Sequence, residues 1–82
     1  MEIIYKYPIG VDKLPIGYEP LYVDGIDGKA YVWVRVNPAN VSIPVRFHAF
    51  ATGSDLFKTP MEYIGTIHHQ KSHEIYHIYL EV

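Results

Sequence analysis

Two runs of alternating residues, separated by a two-residue turn, constrain the fold of this chain most strongly. In residues 29–37, small and β-branched side chains alternate with aromatic side chains and one arginine. This period of two is typical of a strand that buries one of its faces. Residues 21–26 form a similar run, and the Asp27-Gly28 pair between them suits the positive-φ positions of a tight hairpin turn. The sequence therefore predicts a β-hairpin here, with an aromatic face opposite its apolar one.

Four further runs of β-branched and aromatic residues predict strands at residues 2–9, 43–52, 61–69 and 73–81. Pro44 places the start of the 43–52 strand at a sheet edge or bulge. A short helix or turn is expected near residues 55–57, and a final turn at residues 70–72. The predicted fold class is mainly β, with residues 1–82 as a single domain. We expect one antiparallel, twisted sheet or a small barrel of five to six strands.

Length, charge and composition limit the function classes. A chain of 82 residues is near the size at which one hydrophobic core is only just sufficient, which favours self-association. It contains no cysteine, so it suits a reducing cytoplasm. A net charge of -2, with basic residues spread singly, argues against duplex nucleic acid as a partner. No apolar run approaches the length of a membrane span, so we expect a cytoplasmic protein without a membrane partner.

Catalytic and metal sites have little support in the sequence. His69, His73 and His77 would share one stripe of a helix and bind zinc, but the residues around them favour strands, which place them apart. His68 belongs to the same cluster of histidines. Ser54-Asp55 with His48 lacks the glycines of a nucleophile elbow. We therefore predict no catalytic residues, no metal and no cofactor.

Aromatic residues and arginines point instead to ligand binding. Tyr5, Tyr7, Tyr31 and Trp33 suit stacking on flat bases, with Arg35 or Arg46 supplying charge to a phosphate. The alternative is that these rings fill the core or a subunit interface.

Two backbone features extend the candidate site. Thr52, Gly53 and Ser54 offer amides and hydroxyls that suit an anion, and the alternative is an ordinary turn. Gly65 in mid-strand predicts a β-bulge or the close approach of a ligand or backbone.

A string of short motifs resembles a family of small tailed-phage proteins of formerly unknown function. The resemblance spans nearly the whole chain. This chain departs from the family pattern at Asn37 and at Ser54-Asp55, which suggests a specialised loop after Gly53. The motifs are Ile4-Tyr5-Lys6-Tyr7-Pro8, Leu14-Pro15 with Gly17, Val32-Trp33-Val34, Asn37-Pro38, Arg46-Phe47, Ala51-Thr52-Gly53, Tyr63-Ile64-Gly65-Thr66 and His77-Ile78-Tyr79.

The chain is also similar to anti-CBASS nucleotide sponges. That resemblance implies a homo-oligomer, with a tetramer favoured, that sequesters 3′,3′-cyclic GMP-AMP or a similar cyclic dinucleotide in the host cell cytoplasm without cleaving it. It implies that rings stack on the bases, that Arg46 and the Thr52-Gly53 amides hold phosphates, and that Thr66 or His48 reads a base edge. Two alternatives stay open, a phage protein-interaction or virion-associated module and a metal-dependent nuclease or phosphodiesterase that uses the histidines.

Overall fold

The computed structural model describes residues 1–56, 59–69 and 71–82. Within these residues the chain forms strands, turns and loops, and no helix is long and apolar enough to cross a membrane. The strands are β1 (Ile3–Pro8), β2 (Lys13–Pro15), β3 (Glu19–Ile26), β4 (Lys29–Val36), β5 (Ser42–Pro44), β6 (Phe47–Ala51), β7 (Met61–His68) and β8 (Ile75–Glu81).

The first sheet contains the predicted hairpin and has the order β1-β4-β3. Ile26 pairs with Lys29, which leaves Asp27 and Gly28 as a two-residue turn with φ of 51° and 79°. Positive φ at both positions matches the right-handed twist of the flanking strands. The hairpin prediction is confirmed.

The predicted strand at residues 43–52 is divided between two sheets. Pro44 ends β5, which pairs with β2 in a small two-stranded sheet. The Val45 amide then donates to the carbonyl of Asp12 over 2.9 Å, and the chain enters the second sheet at Phe47. Because proline has no amide to donate, it stands at the end of a short edge strand.

The second sheet has the order β6-β8-β7 and is antiparallel. Its register shifts between Tyr63 and Gly65, which confirms the predicted bulge. β8 is the central strand, and its alternate residues Ile78 and Leu80 are buried.

The inner faces of the two larger sheets share one apolar cluster. Residues directly opposite each other in a ladder lie on the same face, so the buried residues of β4 and β8 identify these inner faces. The small sheet contributes Leu14, which is fully buried. The cluster contains Leu14, Val23, Val32, Val34, Val36, Phe47, Ile67, Ile78 and Leu80.

The predicted mainly β, antiparallel class is confirmed, but the chain forms three sheets instead of one sheet or a closed barrel. The described residues contain eight strands instead of six, because the predicted strand at residues 43–52 is divided into β5 and β6, and because the sequence pattern did not indicate β2. Residues 57 and 58 lie outside the described residues, so the helix or turn expected at 55–57 is described only up to residue 56. Residue 70 of the expected final turn lies outside them too, and residues 71 and 72 are in a turn.

Candidate functional site

The outer face of the second sheet collects several of the residues that the sequence singled out. His48 pairs with Tyr79, and Thr66 pairs with His77, so these four side chains share the face opposite the core. We call this surface, together with Thr52, Tyr63 and Glu81, the polar face.

His77 lies at the centre of a hydrogen-bonded chain on the polar face. Its Nε2 is 3.0 Å from the Thr52 hydroxyl and its Nδ1 is 3.4 Å from the Thr66 hydroxyl. The Thr66 hydroxyl is also 2.5 Å from the hydroxyl of Tyr63. Thr52 and Thr66 therefore contact the same imidazole. Their hydroxyls already have hydrogen-bond partners within the protein.

A second polar pair lies at the other end of the same face. His48 Nε2 is 3.3 Å from the Glu81 carboxylate, and Arg46 Nε is 3.9 Å from the same carboxylate oxygen. The side chain of Arg46 is largely exposed, whereas that of His48 is 16% exposed. Phe50, only 8% exposed, stacks on His48 with ring centroids 5.9 Å apart. The polar face thus combines the exposed side chain of Arg46 with the packed rings of His48 and Phe50.

Thr52, Gly53 and Ser54 form a turn after β6. The Thr52 amide donates to the Ile75 carbonyl, and the Ser54 amide donates to the Ala51 carbonyl. Gly53 has φ of 91°, in the region that glycine adopts without strain. Two amides of the expected anion nest are therefore already used by the backbone.

The four aromatic residues that the sequence predicts for stacking lie on the first sheet, on two different faces, and Tyr31 shares the outer face with Trp33. Tyr5 and Tyr7 pair with Val34 and Val32, which places both tyrosines on the inner face of β1. Trp33 lies on the outer face, where its ring centroid is 5.5 Å from that of Tyr22. The structure therefore places His48 and Thr66 on the second sheet, with Arg46 and Thr52 flanking β6, and keeps Tyr5, Tyr7 and Trp33 on the first sheet.

The four clustered histidines are dispersed as the strand pattern predicts. His77 lies on the polar face, His68 ends β7 opposite Ile75, and His69 and His73 belong to the turn between β7 and β8. Among the described residues, no three histidine, aspartate or glutamate side chains are placed to hold one metal ion.

A cleft between the two larger sheets is the feature that sequence reasoning missed. We call it the inter-sheet cleft; its volume is about 410 Å³. Its floor is apolar and includes Ala49, Ile67 and Ile78 from the second sheet, with Tyr76 beside them. This size and lining are typical of small-molecule sites.

The walls of the inter-sheet cleft are two turns that carry cations. The β3–β4 turn contributes Asp27, Gly28 and Lys29, and the β7–β8 turn contributes His69 and Lys71. The hairpin turn was visible in the sequence as Asp27-Gly28. Its position opposite the second turn depends on packing between sheets that are distant in the chain.

The pKa of Tyr76, on the floor of the inter-sheet cleft, differs from its ordinary value. The hydroxyl of Tyr76 donates a hydrogen bond to the Glu74 carboxylate. This hydrogen bond, followed by desolvation and the charge of Glu74, raises the pKa of Tyr76 above its ordinary value.

Comparison with known proteins gives one family match. No curated protein and no solved structure matches the chain. The family DUF7352, described as a domain of unknown function, matches residues 1–82. Because the match covers the entire sequence, the chain belongs to the DUF7352 family.

Proposed function

We propose that this protein binds a cyclic dinucleotide of the 3′,3′-cyclic GMP-AMP type and sequesters it without cleaving it. The observation that carries the proposal is the inter-sheet cleft, which combines an apolar and aromatic floor with Lys29 and Lys71 on its walls. A cyclic dinucleotide has two flat bases and two phosphodiester anions. The cleft offers an aromatic ring and apolar surface for a base, and a lysine on each wall for the phosphates.

The ring of Tyr76 supplies a stacking surface for a base, which contributes about 1–3 kcal/mol per base in single-strand binders. Ala49, Ile67 and Ile78 cover the remaining apolar surface of the ligand. Each lysine neutralises one phosphate as a point charge. Binding of this kind stores the ligand and requires no nucleophile or general base.

Assembly extends this proposal to the residues predicted from sequence. In a homo-oligomer, with a tetramer favoured, Tyr5, Tyr7 or Trp33 of one copy would lie at the mouth of the cleft of another. Arg46, Thr66 and the turn at Gly53 would contact the outward parts of the ligand from a neighbouring polar face. Following the resemblance to anti-CBASS sponges, the biological role would be phage immune evasion in the host cell cytoplasm.

A protein-interaction role is the second candidate, and the outer face of the first sheet favours it. Tyr22 is 57% exposed beside Trp33, and Ile4 on the same face is 60% exposed. Clusters of exposed aromatic and aliphatic side chains are typical of interaction sites. In that case, the loss of Lys29 or Lys71 would leave the function intact, while Trp33→Ala would abolish it.

The test is to incubate the purified protein with cyclic di- and trinucleotides, digest the protein with proteinase, and identify by chromatography what is released. Uptake followed by release of the intact nucleotide would support sequestration. Release of a cleaved product would indicate an enzyme. An absence of uptake would contradict the proposal and favour a protein partner.

Matched variants locate the site. We expect Lys29→Gln and Lys71→Gln each to weaken uptake by about tenfold, because a charge-assisted contact with one phosphate is lost. Lys13→Gln removes the same charge from an exposed position on β2 and should bind as the wild type does. Equal weakening by all three variants would indicate a general effect of net charge and contradict the cleft as the site.

A further inference from the structure

The turn between β7 and β8 is built around His69. The His69 amide donates to the Glu74 carbonyl over 2.8 Å, and the His73 amide donates to the His69 carbonyl over 3.0 Å. The Ser72 amide donates to His69 Nδ1 over 3.2 Å, and the Ser72 hydroxyl lies 2.9 Å from the same nitrogen. Among the described residues of this turn, His69 therefore forms hydrogen bonds through both its backbone and its side chain.

These contacts define the hydrogen-bonding role of each ring nitrogen of His69. A nitrogen that accepts an amide hydrogen carries no proton, and a neutral imidazole has its proton on the other nitrogen. Nδ1 is thus the acceptor, and Nε2 is a hydrogen-bond donor. Ser72 thus orients the ring with Nε2 as its remaining hydrogen-bonding group.

Lys71 lies within the same turn, and both His69 and Lys71 line the inter-sheet cleft. Lys71 and His69 therefore lie on the same wall of the cleft. Asp27, the acidic residue that lines the cleft, belongs to the opposite turn. The β7–β8 turn thus brings the His69 imidazole and the positive charge of Lys71 to the cleft, while its Glu74 carboxylate accepts the hydrogen bond of the Tyr76 hydroxyl.

We propose that His69 and Lys71 form a phosphate subsite, in which His69 Nε2–H and the Lys71 ammonium donate to oxygens of one phosphodiester. This inference rests on the proposed function and deepens it, because it assigns one phosphate to the β7–β8 wall and leaves the other to Lys29 and the Gly28 turn. Phosphate suits the pair because its oxygens accept several hydrogen bonds and carry the negative charge that Lys71 requires.

The test uses two substitutions of His69, each of which retains the hydrogen-bonding group of only one ring nitrogen. His69→Asn keeps an acceptor near the position of Nδ1 and removes the Nε2 donor. His69→Gln keeps a donor near the position of Nε2 and removes the Nδ1 acceptor. Nuclear magnetic resonance of the full chain, titrated first with inorganic phosphate and then with 3′,3′-cyclic GMP-AMP, reports on both ligands.

In the wild type we expect phosphate to shift the Nε2 resonance of His69 and the side-chain resonances of Lys71. His69→Asn should lose about tenfold in phosphate affinity with an intact turn, because the hydrogen bond to the anion is missing. His69→Gln should bind phosphate more tightly than His69→Asn does. Amide spectra of both variants verify that the fold is retained.

Unchanged phosphate affinity in His69→Asn, or an unshifted His69 resonance in the wild type, would overturn the subsite. The two titrations distinguish failure of the phosphate subsite from failure of the proposed function. If phosphate binds at His69 but cyclic GMP-AMP does not bind, the subsite stands and the proposed function fails. If cyclic GMP-AMP binds with equal affinity to the wild type and His69→Asn, the function stands and the subsite is wrong.

Discussion

Gly65 lies so close to Val23 that a Cβ atom built on the glycine would be 2.5 Å from Cγ2 of the valine. The two residues belong to β7 and β3, so this contact joins the two larger sheets. It also places the edge strands close together beside the inter-sheet cleft. A side chain at position 65 would push the sheets apart.

We therefore expect Gly65→Ala to lower the free energy of unfolding by about 1–3 kcal/mol, as overpacking does in other cores. Urea denaturation measures the change. Gly10→Ala is the matched control, because nothing lies within 4 Å of a Cβ atom built there. The Val23→Ala, Gly65→Ala double variant should lose less stability than the sum of the single losses, and strict additivity would contradict the steric explanation.

The β3–β4 turn provides a second stability prediction. Gly28 has φ of 79°, and an alanine there should cost about 1 kcal/mol because its Cβ disfavours this conformation. Gly28→Asn should cost less, since asparagine tolerates positive φ in hairpin turns. Equal thermal stability of the two variants would argue against backbone strain as the cause.

The chain of hydroxyls around His77 should contribute measurably to stability. Thr66→Val keeps the shape of the side chain but removes the partner of both the Tyr63 hydroxyl and His77 Nδ1. We expect a loss of about 0.5–1.5 kcal/mol in the free energy of unfolding. Thr59→Val, at an exposed position, should change it by less than about 0.5 kcal/mol.

Two tyrosines should make the fold sensitive to alkali. Burial raises the pKa of Tyr7 and Tyr18 above 10.0, with a further contribution from the charge of Tyr5 for Tyr7 and of Glu62 for Tyr18. Because the folded pKa exceeds the unfolded pKa, the stabilisation is fully present below pH 10.0 and is lost as the pH rises through the folded value. The free energy of unfolding, measured by denaturation at increasing pH, should fall above pH 10.0. It should fall less in Tyr7→Phe, which lacks one of the two ionising groups. An identical alkaline decline in Tyr7→Phe would contradict this assignment.

Arg35 tests whether surface charge contributes to the first sheet. It lies 2.5 Å from the Glu19 carboxylate and 3.6 Å from that of Glu2, with all three side chains about half exposed. Arg35→Gln should cost less than about 1 kcal/mol, because exposed ion pairs are screened by water. The cost should shrink further in high salt. A larger loss that salt does not reduce would indicate that Arg35 contributes through packing.

Much of the strand content could be predicted because it depends on neighbours in the chain. Alternating valines in β4 and the Asp27-Gly28 turn specify a hairpin through local sterics and a buried face. The division of residues 43–52 could not be predicted in the same way. It depends on Pro44 meeting β2, whose own three-residue pattern is too short to be recognised.

The arrangement of the candidate site likewise could not be predicted from residues that are neighbours in the chain. The sequence determined by itself the antiparallel β class, the hairpin and the bulge at Gly65, because alternation and glycine act over a few residues. Only the tertiary structure decided that Tyr5 and Trp33 face opposite sides of one sheet, and that His77 joins Thr52 to Thr66. It alone placed Lys29 and Lys71 on facing walls of one cleft. The physical reason is that register and sheet packing are selected by the burial of the whole apolar cluster, a sum over residues distant in the chain, whereas the sequence pattern records only local preference.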